Sequence, residues 1–173
     1  MVASISTIDG ELAEAPPRAA VAVRLEDELD IGRGDMIVGA ERPPSMSRHI
    51  RATVVWMDQR PLEPGRAYLI KHTTQQVYAT IDRVLHKVHI DTLTPQPADR
   101  LTLNEIGAVT IETYRPLFAD PYRHNRTTGA FILIDPASNA TVAAGMIADG
   151  VDVPRVVELE PAADEQAAPF TLW

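Results

Sequence analysis

The amino-acid sequence predicts an all-β protein, arranged as a sandwich or a small barrel. Fourteen prolines and nine glycines interrupt its 173 residues, which suits strands of about 5–6 residues better than helices of about 11. Apolar and polar residues alternate in several runs, as half-buried strands require. No longer segment repeats its apolar residues with the helical period of about 3.6. Together these observations favour sheets throughout the chain.

Short segments along the chain are predicted as strands: residues 2–8, 19–25, 35–39, 50–57, 66–72, 76–85, 108–114, 130–134 and 141–147. The first is rich in β-branched residues and ends in the turn signal Asp9–Gly10. The second alternates its apolar side chains on one face. The third is a short apolar run that follows a Gly-Arg-Gly sequence, which is typical of a turn.

The later strands carry the clearer pattern. Residues 50–57 alternate, which places Trp56 in the core rather than on a surface for stacking. Residues 66–72 and 76–85 are joined by a polar corner, and residues 86–90 either continue the second strand or pair back after a bulge. Turns containing Pro, Asp and Asn separate the last three strands.

The Arg-Pro-Pro-Ser sequence at residues 42–45 indicates a linker. We therefore divide the chain into a first unit, 1–44, a second unit, 45–148, and a tail, 149–173. The tail carries six acids and one base, hence most of the net charge of −8, and is predicted to be a flexible acidic tail or linker. A short helix over residues 162–168 is the alternative. The role of the tail, as a docking segment or as a link to a further domain, stays open.

Composition excludes several classes of function. The absence of cysteine excludes a disulfide scaffold, a thiolate metal site and a Cys nucleophile. The acidic balance argues against a general nucleic-acid binder, which needs clustered Lys and Arg. No apolar run approaches about 18 residues, and the N-terminus lacks the pattern of a signal peptide. We expect a cytoplasmic protein without a membrane segment.

The sequence offers no catalytic, cofactor-binding or metal-binding residue. Neither Lys71 nor Lys87 follows a glycine as a P-loop requires, and a G-x-G-x-x-G fingerprint is missing. His86 and His89 would point to opposite faces of a strand, so they cannot hold one metal ion.

One polar segment, residues 120–129, sets several basic side chains beside an aromatic one. Three interpretations of this segment stay open: a charged connection between strands, a domain or subunit interface, and a nucleic-acid contact. The first is favoured. The candidate interface residues are Tyr122, Arg123, His124 and Arg126.

Residues 25–38 resemble the end of the second domain of translation-factor-type GTPases, where this phrase marks the last strands of a β-barrel. A longer series resembles the third domain of the large, GTP-binding subunit of sulfate adenylyltransferase. Its phrases are Ala52-Thr53-Val54-Val55-Trp56-Met57, Pro61-Leu62-x-Pro64-Gly65, Tyr68-Leu69-Ile70-Lys71-His72, Leu103-Asn104-Glu105-Ile106-Gly107, Pro116-Leu117-Phe118-x-Asp120-x-Tyr122-x-x-Asn125-x-x-Thr128-Gly129-x-Phe131-Ile132-Leu133-Ile134-Asp135 and Thr141-Val142-x-x-Gly145-Met146-Ile147.

The resemblance implies a closed six-stranded antiparallel Greek-key barrel, like the third domain of elongation factor Tu, preceded by part of a second barrel. The family's enzyme makes adenylyl sulfate and pyrophosphate from ATP and sulfate, driven by GTP hydrolysis. Its GTPase domain, with GTP and Mg²⁺, would precede residue 1, so we expect this chain alone to be catalytically inactive. The implied role is scaffold and subunit interface. The implied partners are the GTPase domain, the small subunit and, in some members, a downstream adenylylsulfate kinase domain.

A different class of function stays open, a stand-alone β-barrel module that binds RNA or protein. The net charge and the lack of an aromatic stacking surface weigh against the RNA version.

A partial first barrel would leave strand edges unpaired, and such edges pair readily with other chains. We therefore expect residues 2–39 either to pack onto the complete barrel or to pair between protomers.

Overall fold

The structure, a computed structural model, describes residues 1–39, 41 and 43–148, and its regular elements there are all β-strands. The strands are β1 (Val2–Thr7), β2 (Gly10–Leu12), β3 (Ala22–Leu25), β4 (Ser45–Trp56), β5 (Ala67–His72), β6 (Gln75–Val88), β7 (Pro95–Gln96), β8 (Ile106–Ala119), β9 (Ala130–Ile134) and β10 (Thr141–Ile147). The all-β prediction is confirmed. In the described part of the chain we find no helix with the length and apolarity that crossing a membrane would take.

The first compact unit, Met1–Asp35, is a small antiparallel sheet with the strand order β2-β1-β3. Ile5 on the central strand pairs with Leu12 on one side and with Val23 on the other. Within the described residues, β2 and β3 each pair with a neighbouring strand on one edge only. The buried apolar side chains of the described residues all lie later in the chain, from Ile50 onward. The predicted pairing between protomers through such edges stays a prediction.

The strand predicted at residues 35–39 is wrong. Asp35 forms only an isolated bridge, and residues 36–39 belong to no strand. The segment has only five residues, and no described strand lies beside it to accept its backbone hydrogen bonds. The compact units divide at Asp35 and Met36, whereas the predicted division at residues 44 and 45 stays a prediction. The predicted tail, 149–173, lies outside the described residues.

The second unit contains a closed barrel. Its sheet has the order β5-β9-β10-β4-β8-β6, and β5 also pairs with β6, so the six strands form a ring. All of these pairings are antiparallel. The first strand of the barrel, β4, lies between the fourth and the sixth, which is the neighbour order of a Greek key. The closed six-stranded barrel that the resemblance implied is thus present, with β7 as a short addition to β6.

Apolar side chains from every barrel strand meet inside the ring. Alternate residues of β4 point inward, and Trp56 is buried as predicted. Its ring packs edge-on against Tyr68 at 5.8 Å, and its Nε1–H donates to the carbonyl of Arg60 at 2.7 Å. Each large side chain buried in this way contributes about 1.5–3 kcal/mol. The other large, fully buried members are Leu62, Ile70, Ile81, Leu101, Ile111, Leu117, Leu133, Ile147 and Val54.

Asp135, at the end of β9, is only 1% exposed and joins separate parts of the barrel. Its Oδ2 accepts hydrogen bonds from Arg60 at 2.7 Å and Arg66 at 2.6 Å. Hydrogen bonds from the backbone, first of all from the N–H of Ala137, hold the pKa of Asp135 below its usual value against the opposing effect of burial. This buried carboxylate fixes the connection between β4 and β5 to the end of β9.

Candidate interaction surfaces

The first candidate surface is the connection between β8 and β9, residues 120–129, which we call the 120–129 loop. The side chains of Arg123, His124 and Arg126 are exposed there, and Tyr122 is half-buried. The structure thus brings the four residues selected from the sequence into one loop at the barrel surface. Their contact with a partner stays a prediction.

Two consecutive turns shape this loop. The carbonyl of Pro121 accepts hydrogen bonds from the N–H groups of His124 at 2.9 Å and Asn125 at 3.1 Å. The carbonyl of Asn125 then accepts from the N–H of Gly129 at 2.8 Å, and the Asn125 side chain accepts from the N–H of Thr127 at 3.0 Å. Asn is suited to this position because its side chain can mimic a backbone turn.

The loop is also tied to the barrel at its base. The hydroxyl of Thr128 donates to Asp120 at 2.6 Å, and the N–H of Tyr122 donates to the carbonyl of Ile147 at 2.9 Å. His72, at the end of β5 and only 1% exposed, lies with Nε2 2.7 Å from the carbonyl of Thr128. Because a carbonyl only accepts, Nε2 carries the proton and His72 is the donor.

Gly129 allows the loop to close on itself. A Cβ atom at this position would lie 2.3 Å from the Cα of Tyr122 and 2.7 Å from the carbonyl oxygen of Asn125. Both of these neighbours are backbone atoms, which cannot swing aside as a flexible side chain can. Close approach of two backbone segments therefore requires glycine here.

The second candidate surface lies on the barrel wall where β8 bulges. Ser47 pairs with Leu117 and His49 with Glu112, so the single residue Arg48 faces residues 113–116. The hydroxyl of Thr113, fully buried, donates to the carbonyl of Arg115 at 2.7 Å, and Arg48 Nε donates to the carbonyl of Thr113 at 3.0 Å. Bulges of this kind bend a strand and re-aim its side chains.

The bulge presents Tyr114, which is 79% exposed, beside Tyr78 of β6, which is 54% exposed. Each lies one residue beyond the cross-strand pair of Ala79 and Thr113, and both line the same groove. We call these two residues with Arg48 the Tyr78–Tyr114 surface. The sequence indicated no aromatic stacking surface, whereas two tyrosines are exposed on this part of the barrel wall.

A signal for this surface was present in the sequence. Tyr78 alternates with inward-facing residues of its strand, so the period of two already places it on the outer face. Nothing in the sequence showed that Tyr114 lies beside it, because that depends on the register of β6 against β8 and on the bulge.

Another charged pair supports the barrel. Lys87 Nζ lies 2.7 Å from Glu105 Oε1, and the other oxygen of Glu105 accepts from the N–H of Thr102 at 2.8 Å. The hydrogen bond from Lys87 is the main cause that lowers the pKa of Glu105 below its usual value.

In the described part of the chain, no three His, Asp or Glu side chains come together as metal ligands would.

The fold and the sequence define the class of protein. Residues 49–148 match the family described as GTP-eEF1A C-terminal domain-like, and the chain belongs to this family. Two solved structures of Sup35, one with GDP and one with GMPPNP, share the fold with a TM-score of 0.73. In both cases the identity is 20%, over 85% of this chain and 36% of Sup35.

More similar relatives point to a particular enzyme. A bifunctional enzyme CysN/CysC of Rhodopirellula baltica is 48% identical over 148 residues, which is 86% of this chain and 23% of that protein. Sulfate adenylyltransferase subunit 1 of Bacteroides fragilis is 44% identical over 151 residues, 87% of this chain and 32% of that protein. The resemblance to the sulfate adenylyltransferase subunit is thereby confirmed. The chain spans between 23% and 32% of the length of these two relatives.

Proposed function

We propose that this chain is the barrel region of the GTP-binding subunit of a sulfate adenylyltransferase, and that it acts there as scaffold and subunit interface. The similarity to sulfate adenylyltransferase subunit 1 over 151 residues is the observation that carries this proposal. The chemistry of the whole enzyme, adenylyl sulfate formation from ATP and sulfate driven by GTP hydrolysis, would belong to other parts of the assembly.

The closed barrel suits a scaffold. Its six strands close into a ring, its core is continuous, and the buried carboxylate of Asp135 fixes one end through Arg60 and Arg66. Such a body moves as one piece, so it can transmit a change at one contact to another contact as a rigid-body rotation.

The 120–129 loop suits a subunit contact. Its hydrogen bonds to β5 and β10 hold the backbone in place before any partner binds, which lowers the entropy that binding must overcome. Residues 43–148 carry 11 Lys and Arg against nine Asp and Glu, and two of these arginines, Arg123 and Arg126, lie in the loop. We propose that this loop faces an acidic patch of the small subunit.

Titration calorimetry of the full chain with the purified small subunit tests this proposal. Arg126→Glu places a negative charge on the exposed loop, so we expect it to weaken binding by at least about tenfold. Arg100→Glu, which reverses an exposed arginine in a different loop, is the matched control and should leave the affinity unchanged. Equal affinities for the wild type and Arg126→Glu would contradict the assignment of the loop.

Other partners follow from the same proposal. One relative is named as a bifunctional CysN/CysC enzyme, and a downstream adenylylsulfate kinase domain remains a predicted neighbour of this chain. The GTPase domain, with GTP and Mg²⁺, is the predicted neighbour on the other side. The cytoplasmic location stays a prediction.

A further inference from the structure

We propose that the Tyr78–Tyr114 surface binds an acidic protein segment that inserts an aromatic or aliphatic side chain between the two tyrosines. This site is separate from the 120–129 loop and from the contact proposed for the small subunit. It lies on the outer wall of the barrel, across β4, β8 and β6, where the bulge in β8 displays Tyr114.

The shape of the surface favours side-chain insertion. The groove beside Tyr78 and Tyr114 has a volume of about 440 Å³, and a second groove of about 390 Å³ lies next to it. Glu112 lines both grooves, so they adjoin on the wall, and we call the two together the path. The pairing of β6 with β8 ends at Ala79 and Thr113, so Tyr78 and Tyr114 flank the point where the two strands part.

The two tyrosines provide the apolar contact. Tyrosine offers a large and rigid surface that loses little conformational entropy on binding, and with arginine it is enriched among the residues that dominate protein interfaces. Arg48 borders the same groove, held in place by the hydrogen bond from its Nε to the carbonyl of Thr113. The other two tyrosines of the chain are less accessible, since Tyr68 is buried and Tyr122 is half-buried.

The charges along the path favour carboxylates on the partner. Arg48 forms an ion pair with Glu112 at 3.5 Å, and Arg83 forms one with Asp82 at 3.8 Å. Arg51 also lines the path and has no carboxylate partner among the described residues. A partner carboxylate would meet this excess positive charge.

The same charges argue against a nucleic acid. A phosphate chain that follows the path would run past Glu112 in both grooves and past Asp82 in the second. Each of these carboxylates repels phosphate, whereas a protein segment can place apolar or amide groups beside them.

Fluorescence anisotropy with a labelled glutamate–tyrosine copolymer as the probe tests this inference on the full chain. We expect the chain to bind it more tightly than polyglutamate, which has the charge without the aromatic anchor. Tyr114→Ala should weaken binding by at least about tenfold, and Tyr114→Phe should retain it. Leu93→Ala, which truncates another apolar side chain of similar exposure at 77%, is the matched control.

Three results would overturn the inference. The first is equal binding of the copolymer by the wild type and Tyr114→Ala, with circular dichroism showing that both are folded. The second is equal binding of copolymer and polyglutamate. The third is tighter binding of oligothymidylate through the same tyrosines, which would assign the surface to nucleic acid. Arg126→Glu should leave copolymer binding intact, and Tyr114→Ala should leave small-subunit binding intact, so the two proposals can fail independently.

Discussion

Replacing Gly129 with alanine should disrupt the 120–129 loop while leaving the barrel core intact. The added Cβ would lie 2.3 Å from the Cα of Tyr122, where ordinary contact begins at 3.4 Å, so the two backbone segments must separate by about 1 Å. The hydrogen bonds from Tyr122 N–H to Ile147 and from Ile147 N–H to Gly129, at 2.9 and 2.8 Å, span this contact. Overpacking costs about 1–3 kcal/mol, and each weakened hydrogen bond adds up to about 1 kcal/mol.

We therefore expect Gly129→Ala to lower the free energy of unfolding by about 2–4 kcal/mol, measured by urea denaturation with circular dichroism. The matched control is Gly39→Ala, because a Cβ there meets no atom within 4 Å. It should change the free energy by less than about 0.5 kcal/mol. A value for Gly129→Ala as small as that of the control would refute the steric reasoning.

Three further results are expected. Leu133→Ala opens a cavity in the barrel core and should lower the free energy of unfolding by about 2–5 kcal/mol in the same urea assay; a loss below about 1 kcal/mol would contradict the core assignment. The pKa values of Asp135 and Glu105 are lowered by folding, so the contribution of these two carboxylates to stability should be fully present above about pH 5 and be lost as the pH falls below it. Asp135→Asn should reduce the loss of stability on acidification. An unchanged loss would contradict its assignment to the Asp135 carboxylate. Calorimetry with GTP should show no binding to the full chain, and measurable binding would contradict the placement of the nucleotide site outside it.

The short apolar strands that lie between clear turn signals were predictable from the sequence. The predicted segments 130–134 and 141–147 coincide with β9 and β10. Both are bounded by polar turns, and their inward residues, such as Phe131 and Val142, are fully buried. Local pattern and tertiary packing agree in these strands, so either one alone gives the same answer.

Other elements depend on partners that a sequence does not display. The strand β8 was predicted to end at residue 114 but continues to Ala119, because Thr113 holds a bulge that lets the chain pass Pro116 and pair again at Leu117. The strands β2 and β7 were missed, since runs of three and two residues carry no period.

One candidate surface could be predicted from the sequence and the other could not. The 120–129 loop was visible because its basic residues are contiguous in the sequence. The hydrogen bond from buried His72 that supports the loop comes from a residue 56 positions away. The Tyr78–Tyr114 surface joins two strands through their register and therefore appears only in three dimensions.

Sedimentation velocity of the full chain mixed with an equimolar amount of the purified small subunit tests the proposed role most directly. If the chain is the scaffold and subunit interface of a sulfate adenylyltransferase, the two proteins should sediment together as one faster species. Arg126→Glu should return part of that species to the free components, and Arg100→Glu should not. Two independent boundaries for the wild-type mixture, at concentrations well above micromolar, would contradict the account.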